Sequence, residues 1–445
     1  MTSVPNQADT NRSSVSTKIF LIVAIFSLPI GVLAYLLAAN YTPQIATAQL
    51  ELSGNSLQKP LMRALYGFAS SKNILEGCNA GSCATDLANQ GSVISASLDA
   101  AAAVNTEVAD DLNTSPDGLA KKNHQDLAIA HLQSEWKALT ANASKLSTPG
   151  DREELANGYD HMAGQVKQLV SYFGDTSNLI LDPDLDSYYL VDVTLLAMPE
   201  AVTHIANTAA IAHKLVSGAG SAVEQAALAN ESALLQESLN RIAASNATSF
   251  DADEANHGIS PTLRWKLTAG LKTYNASIQS YLTTLKTIGA SPAQGNAADL
   301  AAQAAAVQKA SLNYWNAAAG ELDTLLNLRI FDFKYSRMQA LGLSALTVLI
   351  ATLVAYRIGL SITKPLEQLV RNLGPGATLL GVSVERIAEA SQSQTPSAEE
   401  SAIICEELNA HAENMRKAVL ELARHVEGSA AESRLVRQEK SEPRS

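Results

Sequence analysis

The sequence predicts an all-α chain: two transmembrane helices, a long helical bundle between them, and a coiled-coil stalk after the second. Three observations predict it. Two long runs carry no charge, helical periodicity recurs across the segment between them, and an a/d heptad pattern follows the second run. Ala, Leu, Gln, Glu and Lys dominate long stretches, and alternating β-branched runs are nearly absent. At 445 residues the chain exceeds one ordinary domain. Its formal net charge of -12 argues against nucleic acid as a partner, because phosphate binding needs a basic patch.

Residues 1–18 form a polar arm. Residues 19–39, IFLIVAIFSLPIGVLAYLLAA, are uncharged. At about 1.5 Å per residue they span roughly 30 Å, the hydrocarbon thickness of a bilayer. A secretory signal peptide is the other reading, but its apolar core runs to about 7–15 residues. The cleavage-like Ala46-Thr47-Ala48 also lies well past the run. Residues 338–356, MQALGLSALTVLIATLVAY, form the second run, bracketed by Arg337 and Arg357. Those flanking cations speak against a buried core helix. Arg12 and Lys18 precede the first run, and Arg357, Lys364 and Arg371 follow the second. Both ends therefore favour the cytoplasm. Residues 40–337 then lie in the periplasm of a bacterial cell, and the chain is a two-pass inner-membrane protein.

Helical periodicity in 40–337 is broken at Pro60, the Cys78–Cys83 loop, Ser115–Gly118, Pro149–Asp151, Asp182–Asp184, Gly218–Gly220, Ser260-Pro261 and Ser291-Pro292. The segments between are long enough for antiparallel bundles. One four-helix bundle needs about half of these residues. Two stacked four-helix bundles are expected, or one bundle of long, broken helices. Cys78 and Cys83 flank a Gly-containing turn and are candidates for a local disulfide in an oxidising space. Two free thiols or a metal pair are the other readings, and no His lies nearby to complete a metal site. No metal or cofactor is expected.

Asp182, Asp184 and Asp186 imitate the first ligands of a calcium loop. Ser187 then stands where that loop needs Gly, and Val193 where it needs a bidentate Glu. Two readings remain. The stretch is a helix end, a Pro turn and a capped new helix, or these carboxylates with Tyr188 and Tyr189 line a ligand pocket. Similar Asp-Pro-Asp-x-Asp-Ser-Tyr-Tyr stretches occur in helical sensor domains of proteobacterial chemoreceptors and sensor kinases. Arg264 and Trp265 are a second candidate, able to hold a carboxylate or stack on a ring. The plainer reading puts Trp265 in the core with solvated cations beside it. Trp136, Tyr314 and Trp315 are expected in cores.

After Arg357, apolar or small residues step by four and three from Leu366, Val370, Leu373, Ala377, Leu380, Val384 and Ile387 through to Val426. Seam positions such as Ser391, Gln394, Ala398 and Ser401 suit a loosely packed four-helix bundle more than a tight zipper. Gly374-Pro375-Gly376 is expected to kink or interrupt the helix. Residues 357–376, with Ser361-Ile-Thr-Lys-Pro-Leu-Glu-Gln-Leu369, resemble the first helix of a HAMP linker. Residues 377–436, with Ala398-Glu-Glu-Ser-Ala-Ile-Ile-Cys-Glu-Glu-Leu408, resemble the N-terminal methylation helix of methyl-accepting chemotaxis proteins. Residues 437–445 are expected to be a disordered tail. The pairs Glu399/Glu400 and Glu406/Glu407 recur after seven residues, so equivalent carboxylates share a helix face. The resemblance makes them candidate methyl-acceptor sites; an ordinary solvated acidic face is the other reading. Pro396 departs from the family pattern. So does the lack of a second HAMP helix, of the kinase-controlling hairpin tip and of the returning helix, so the chain reads as truncated before that tip.

The resemblance implies a transmembrane sensor for chemotaxis-type signal transduction. It would take a periplasmic small molecule or a ligand-loaded binding protein and work as a homodimer, with other chemoreceptors as further partners. The alternative is a structural or accessory membrane coiled-coil protein, or a degenerate receptor without its own kinase control. A histidine kinase would need a nucleotide-binding segment after His411 or His425, and none is visible. No catalytic residues are expected.

Overall fold

The computed structural model describes residues 15–77, 83–143, 149–392 and 406–417, and all regular structure among them is helical. In chain order the helices are α1 (Val15–Gly77), α2 (Ala84–Val108), α3 (Pro116–Lys121), α4 (Ile129–Ala143), α5 (Pro149–Thr176), α6 (Leu185–Val191), α7 (Met198–Val216), α8 (Ala222–Ala252), α9 (Leu263–Ala290) and α10 (Ala297–Gln392). A π-helical turn, Asp192–Ala197, joins α6 to α7. The chain divides into two compact units, Ala39–Met338 and the residues on either side of it.

Local chemistry explains most boundaries. Ser115 caps α3, accepting a hydrogen bond from Gly118 N at 3.3 Å. Ser221 and Glu224 form a reciprocal capping box at the start of α8. The expected break at Pro60 does not occur, and α1 runs through it. Proline removes one helical hydrogen bond there. Its neighbours Leu57 and Leu61 are fully buried, and packing on both sides holds the helix.

Within Ala39–Met338, α1 is the shared element. Its residues 54–73 meet α10 through Asn55 Nδ2 to Ala319 O (2.9 Å), Tyr66 with Ser311 (2.6 Å) and Asn73 Nδ2 to Ala301 O (3.2 Å). The same stretch meets α5 and the turn after it. Gly54 lies against Ser177, and Lys72 Nζ holds both carboxylate oxygens of Asp160 at 2.6 and 2.9 Å. Both neighbours run antiparallel to α1. On the α5 side, α2 and α4 close a first group around Trp136, which packs edge-on to Phe68 at 5.5 Å and donates to Ser95 at 2.9 Å. On the other side α7, α8, α9 and α10 form a second group. Tyr274 stacks on Tyr314, and Trp315 donates its indole N–H to Thr194 O at 2.9 Å. Trp136, Tyr314 and Trp315 are buried, as expected.

The sequence expects two stacked four-helix bundles, or one bundle of long, broken helices. The groups lie side by side against the same stretch of α1, and one continuous apolar core runs through both. Gly54 is what lets the turn after α5 approach α1. A Cβ there would sit 2.5 Å from Ser177 Oγ and 2.8 Å from Leu179 Cδ1, and both neighbours are fully buried. Gly54→Ala is expected to lower stability by about 1–2 kcal/mol, overpacking outweighing the better helix propensity of Ala. A lower thermal midpoint checks it; an unchanged or higher one refutes it.

In the other unit the first apolar run belongs to α1 and the second to α10. Their large side chains are exposed, Phe20 at 71% and Leu343 at 68%. Ile30, Gly31 and Ala34 of α1 and Ser344, Ala345 and Val348 of α10 line one crevice. Small residues at such a contact let helix backbones approach closely. Beyond it α10 stays helical to Gln392 with Pro365 and Pro375 inside it. The interruption expected at Gly374-Pro375-Gly376 is absent. Leu373, Leu380 and Ile387 of the heptad seam are exposed in the single chain.

Candidate functional site

The Asp182–Tyr189 stretch follows the end of α5. Asn178 adopts a left-handed conformation (φ 68°), a 3-10 turn covers Leu179–Leu181, and Asp182 Oδ1 accepts from Asp184 N at 3.0 Å before α6 begins. Asn tolerates that backbone better than most residues. This turn delivers its first two carboxylates to one cation, Arg329 of α10, whose side chain is 3% exposed. Arg329 Nη1 donates to Glu51 Oε2 of α1 at 2.6 Å, and Nη2 donates to Asp182 Oδ1 at 2.6 Å. Asp184 and the Ser187 hydroxyl also contact the guanidinium. His257, from the loop between α8 and α9, bridges Asp184 (3.0 Å) and Asp332 (2.9 Å). Asp186 faces elsewhere, accepting from Asn256 Nδ2 at 2.8 Å and from Ser187 N at 2.8 Å.

The buried charge on α10 thus holds α1 and the Asp182–Ser187 turn, and His257 ties in the α8–α9 loop through Asp184. Burial, reinforced by repulsion from Asp182, pushes the Glu51 carboxyl up to about 8 despite the attraction of Arg329. Burial also raises Asp182, against the pull of Arg329. Asp184 goes the other way. Burial opposes its charge, but hydrogen bonding to His257 and the field of Arg329 hold it below the usual carboxylate range. Its hydrogen bond to Asp184 in turn raises His257. Glu51 therefore holds its proton at neutral pH.

The sequence-derived candidates are distributed as follows. Asp182, Asp184 and Asp186 are committed to internal partners in this network. The first two share Arg329 and Asp186 turns to Asn256, so the three do not converge as a calcium loop would require. Tyr188 and Tyr189 pack edge to face at 5.3 Å on the outside of α6, with Tyr188 40% exposed. Arg264 and Trp265 lie on a shallow surface depression with Pro261 and Lys272. Trp265 is 61% exposed, so it is not a core residue, and Arg264 sits over the Phe250 ring at 5.2 Å. Cys83 is disulfide-bonded. Cys78, its expected partner, lies outside the described residues, as do Glu399 and Glu400. Glu406 and Glu407 stand exposed on the helix covering 406–417.

Glu51, Arg329 and His257 were not marked by the sequence reading. A signal existed for two of them. Arg329 continues the buried series Leu322, Leu325 and Leu326, and Glu51 continues Ala48 toward Asn55 and Gln58, all at helical core spacing.

Comparison of the chain with protein-family models, with curated proteins and with solved structures finds no match in any of the three.

Proposed function

We propose that the chain is a two-pass receptor of the bacterial inner membrane, of chemoreceptor type. Residues 40–337 take a ligand, or a ligand-loaded binding protein, in the periplasm. A displacement of α10 passes the signal to a cytoplasmic helical stalk in a homodimer. The observation that carries the reading is the double membership of α1 and α10. Each is one continuous helix that contains an exposed apolar run and also supplies core residues to the Ala39–Met338 unit. The apolar windows have mean hydropathies of 2.6 and 1.9 and are 6% and 0% buried. A buried core helix would show the reverse. A helix tied at one end into a folded core can carry a small piston or rotation along its axis. The heptad seam offers a second copy of the chain the matching surface.

Alkaline phosphatase fused at Gly289 is expected to be active and at Ala430 inactive. The opposite pattern overturns the topology and the receptor reading with it. In cells carrying a chemotaxis methyltransferase, methyl label is expected on the protein and is expected to vanish when Glu399, Glu400, Glu406 and Glu407 are all changed to Gln. Label that survives in that variant removes these sites from the reading.

A further inference from the structure

The Ala39–Met338 unit contains a small cavity between α1, α5 and α7 that the Arg329 network does not touch. Its volume is about 150 Å³. An apolar cavity of about that size takes a benzene ring. The floor is apolar: Leu65 and Phe68 of α1 and Val202 and Ala206 of α7, all buried. Polar groups complete the lining, namely Asp160 and Lys167 of α5 and Thr203 and Asn207 of α7.

One cation there has no ion-pair partner. Asp160 is matched by Lys72, which holds both of its oxygens. Glu231, the other acid at this edge, is hydrogen-bonded with His204 at 2.8 Å and reached by Asn207 Nδ2 at 3.5 Å. Lys167 is half-buried, and its ammonium donates to a neutral hydroxyl, Thr203 Oγ1, at 3.0 Å. Among the described residues no carboxylate lies within ion-pair distance of it. A partly desolvated cation without a counter-charge favours an anion beside it. The floor adds a second requirement. An apolar body matches a lining of Leu65, Phe68 and Val202 better than a hydrated inorganic anion does.

We infer that this cavity binds a small monocarboxylate with a compact apolar body. Its carboxylate sits on Lys167 with Thr203 and Asn207 beside it, and its body lies against Phe68, Leu65 and Val202. The site spans α1 and α7, so an occupant bears directly on a helix that also carries an apolar run. The inference rests on the receptor reading, which it supplies with a ligand class.

Benzoate is the probe, with benzyl alcohol and benzylamine as neutral and cationic shape controls, on the full chain in lipid nanodiscs. Benzoate is expected to raise the thermal midpoint and to bind at least about tenfold more tightly than either control, a difference of about 1.4 kcal/mol. Lys167→Met should abolish the preference for benzoate over benzyl alcohol while leaving the helix content and the unliganded midpoint in place. Ala206→Leu, which fills the floor, should abolish binding of both. The inference is overturned by the absence of any shift at about 10 mM benzoate, where even a millimolar ligand would register. Equal binding of benzylamine, or a benzoate preference that survives Lys167→Met, overturns it as well. Each of those results leaves the receptor reading standing if the fusions at Gly289 and Ala430 behave as expected, whereas reversed fusions sink that reading alone.

Discussion

Arg329→Met is expected to lower the unfolding free energy by about 3–5 kcal/mol, the range for removing one partner of a buried ion pair. Methionine fills much of the same volume, so little of the loss comes from a cavity. It comes from what stays behind: Glu51, Asp182 and Asp184 lose their shared cation while Glu51 and Asp182 remain fully out of water. His257 remains as a partner for Asp184 alone. The damage should therefore be repairable. Asp182→Asn in the Arg329→Met background is expected to recover part of the loss, because the uncompensated charge goes with it. Thermal midpoints of the single and double variants measure both effects. If Arg329→Met melts like the wild type, the network is not a clamp.

Glu51→Gln is expected to act in the opposite direction, with an effect that grows with pH. The folded chain holds the Glu51 proton up to about 8, against an ordinary value of 4.5. Between those two values the folded state binds a proton that the unfolded state has released, so stability falls as pH rises through that window. Above about 8 both states are ionised and the loss is constant. Glutamine copies the protonated form and can still accept the hydrogen bond from Arg329 Nη1. The variant should match the wild type near pH 4.5. It should be more stable at neutral pH, and by a few kcal/mol at pH 9. Midpoints of both proteins across pH 5–9 test this; parallel curves would refute it.

How much of this was readable from residues alone depended on range. The all-helical class and most helix boundaries follow from local chemistry. Ser115-Pro116 and Ser221 with Glu224 carry their own start signals, and Gly218, in a left-handed conformation, ends α7. Pro60 misled because a local rule met a well-packed core. The side-by-side arrangement was not legible. Ala-rich amphipathic helices repeat the same period whichever neighbour they meet, and only pairs such as Asn55 with Ala319 fix the geometry. The Asp182–Tyr189 stretch was recognised as unusual, but its acids alone could not reveal a partner 147 residues away. Reading Arg329 and Glu51 as polar residues in core register would have come closer. Trp265 shows the limit from the other side, since a lone Trp among cations suits a core and a surface equally well.

The shared position of α1 has a consequence for dissection of the protein. Each half of the Ala39–Met338 unit needs the same face-bearing stretch of one helix, and the chain holds a single copy of it. Neither half can be expressed alone without exposing the apolar surface that the other half covers. Domain swaps must therefore exchange all of 39–338 at once, with joints placed in the two apolar runs.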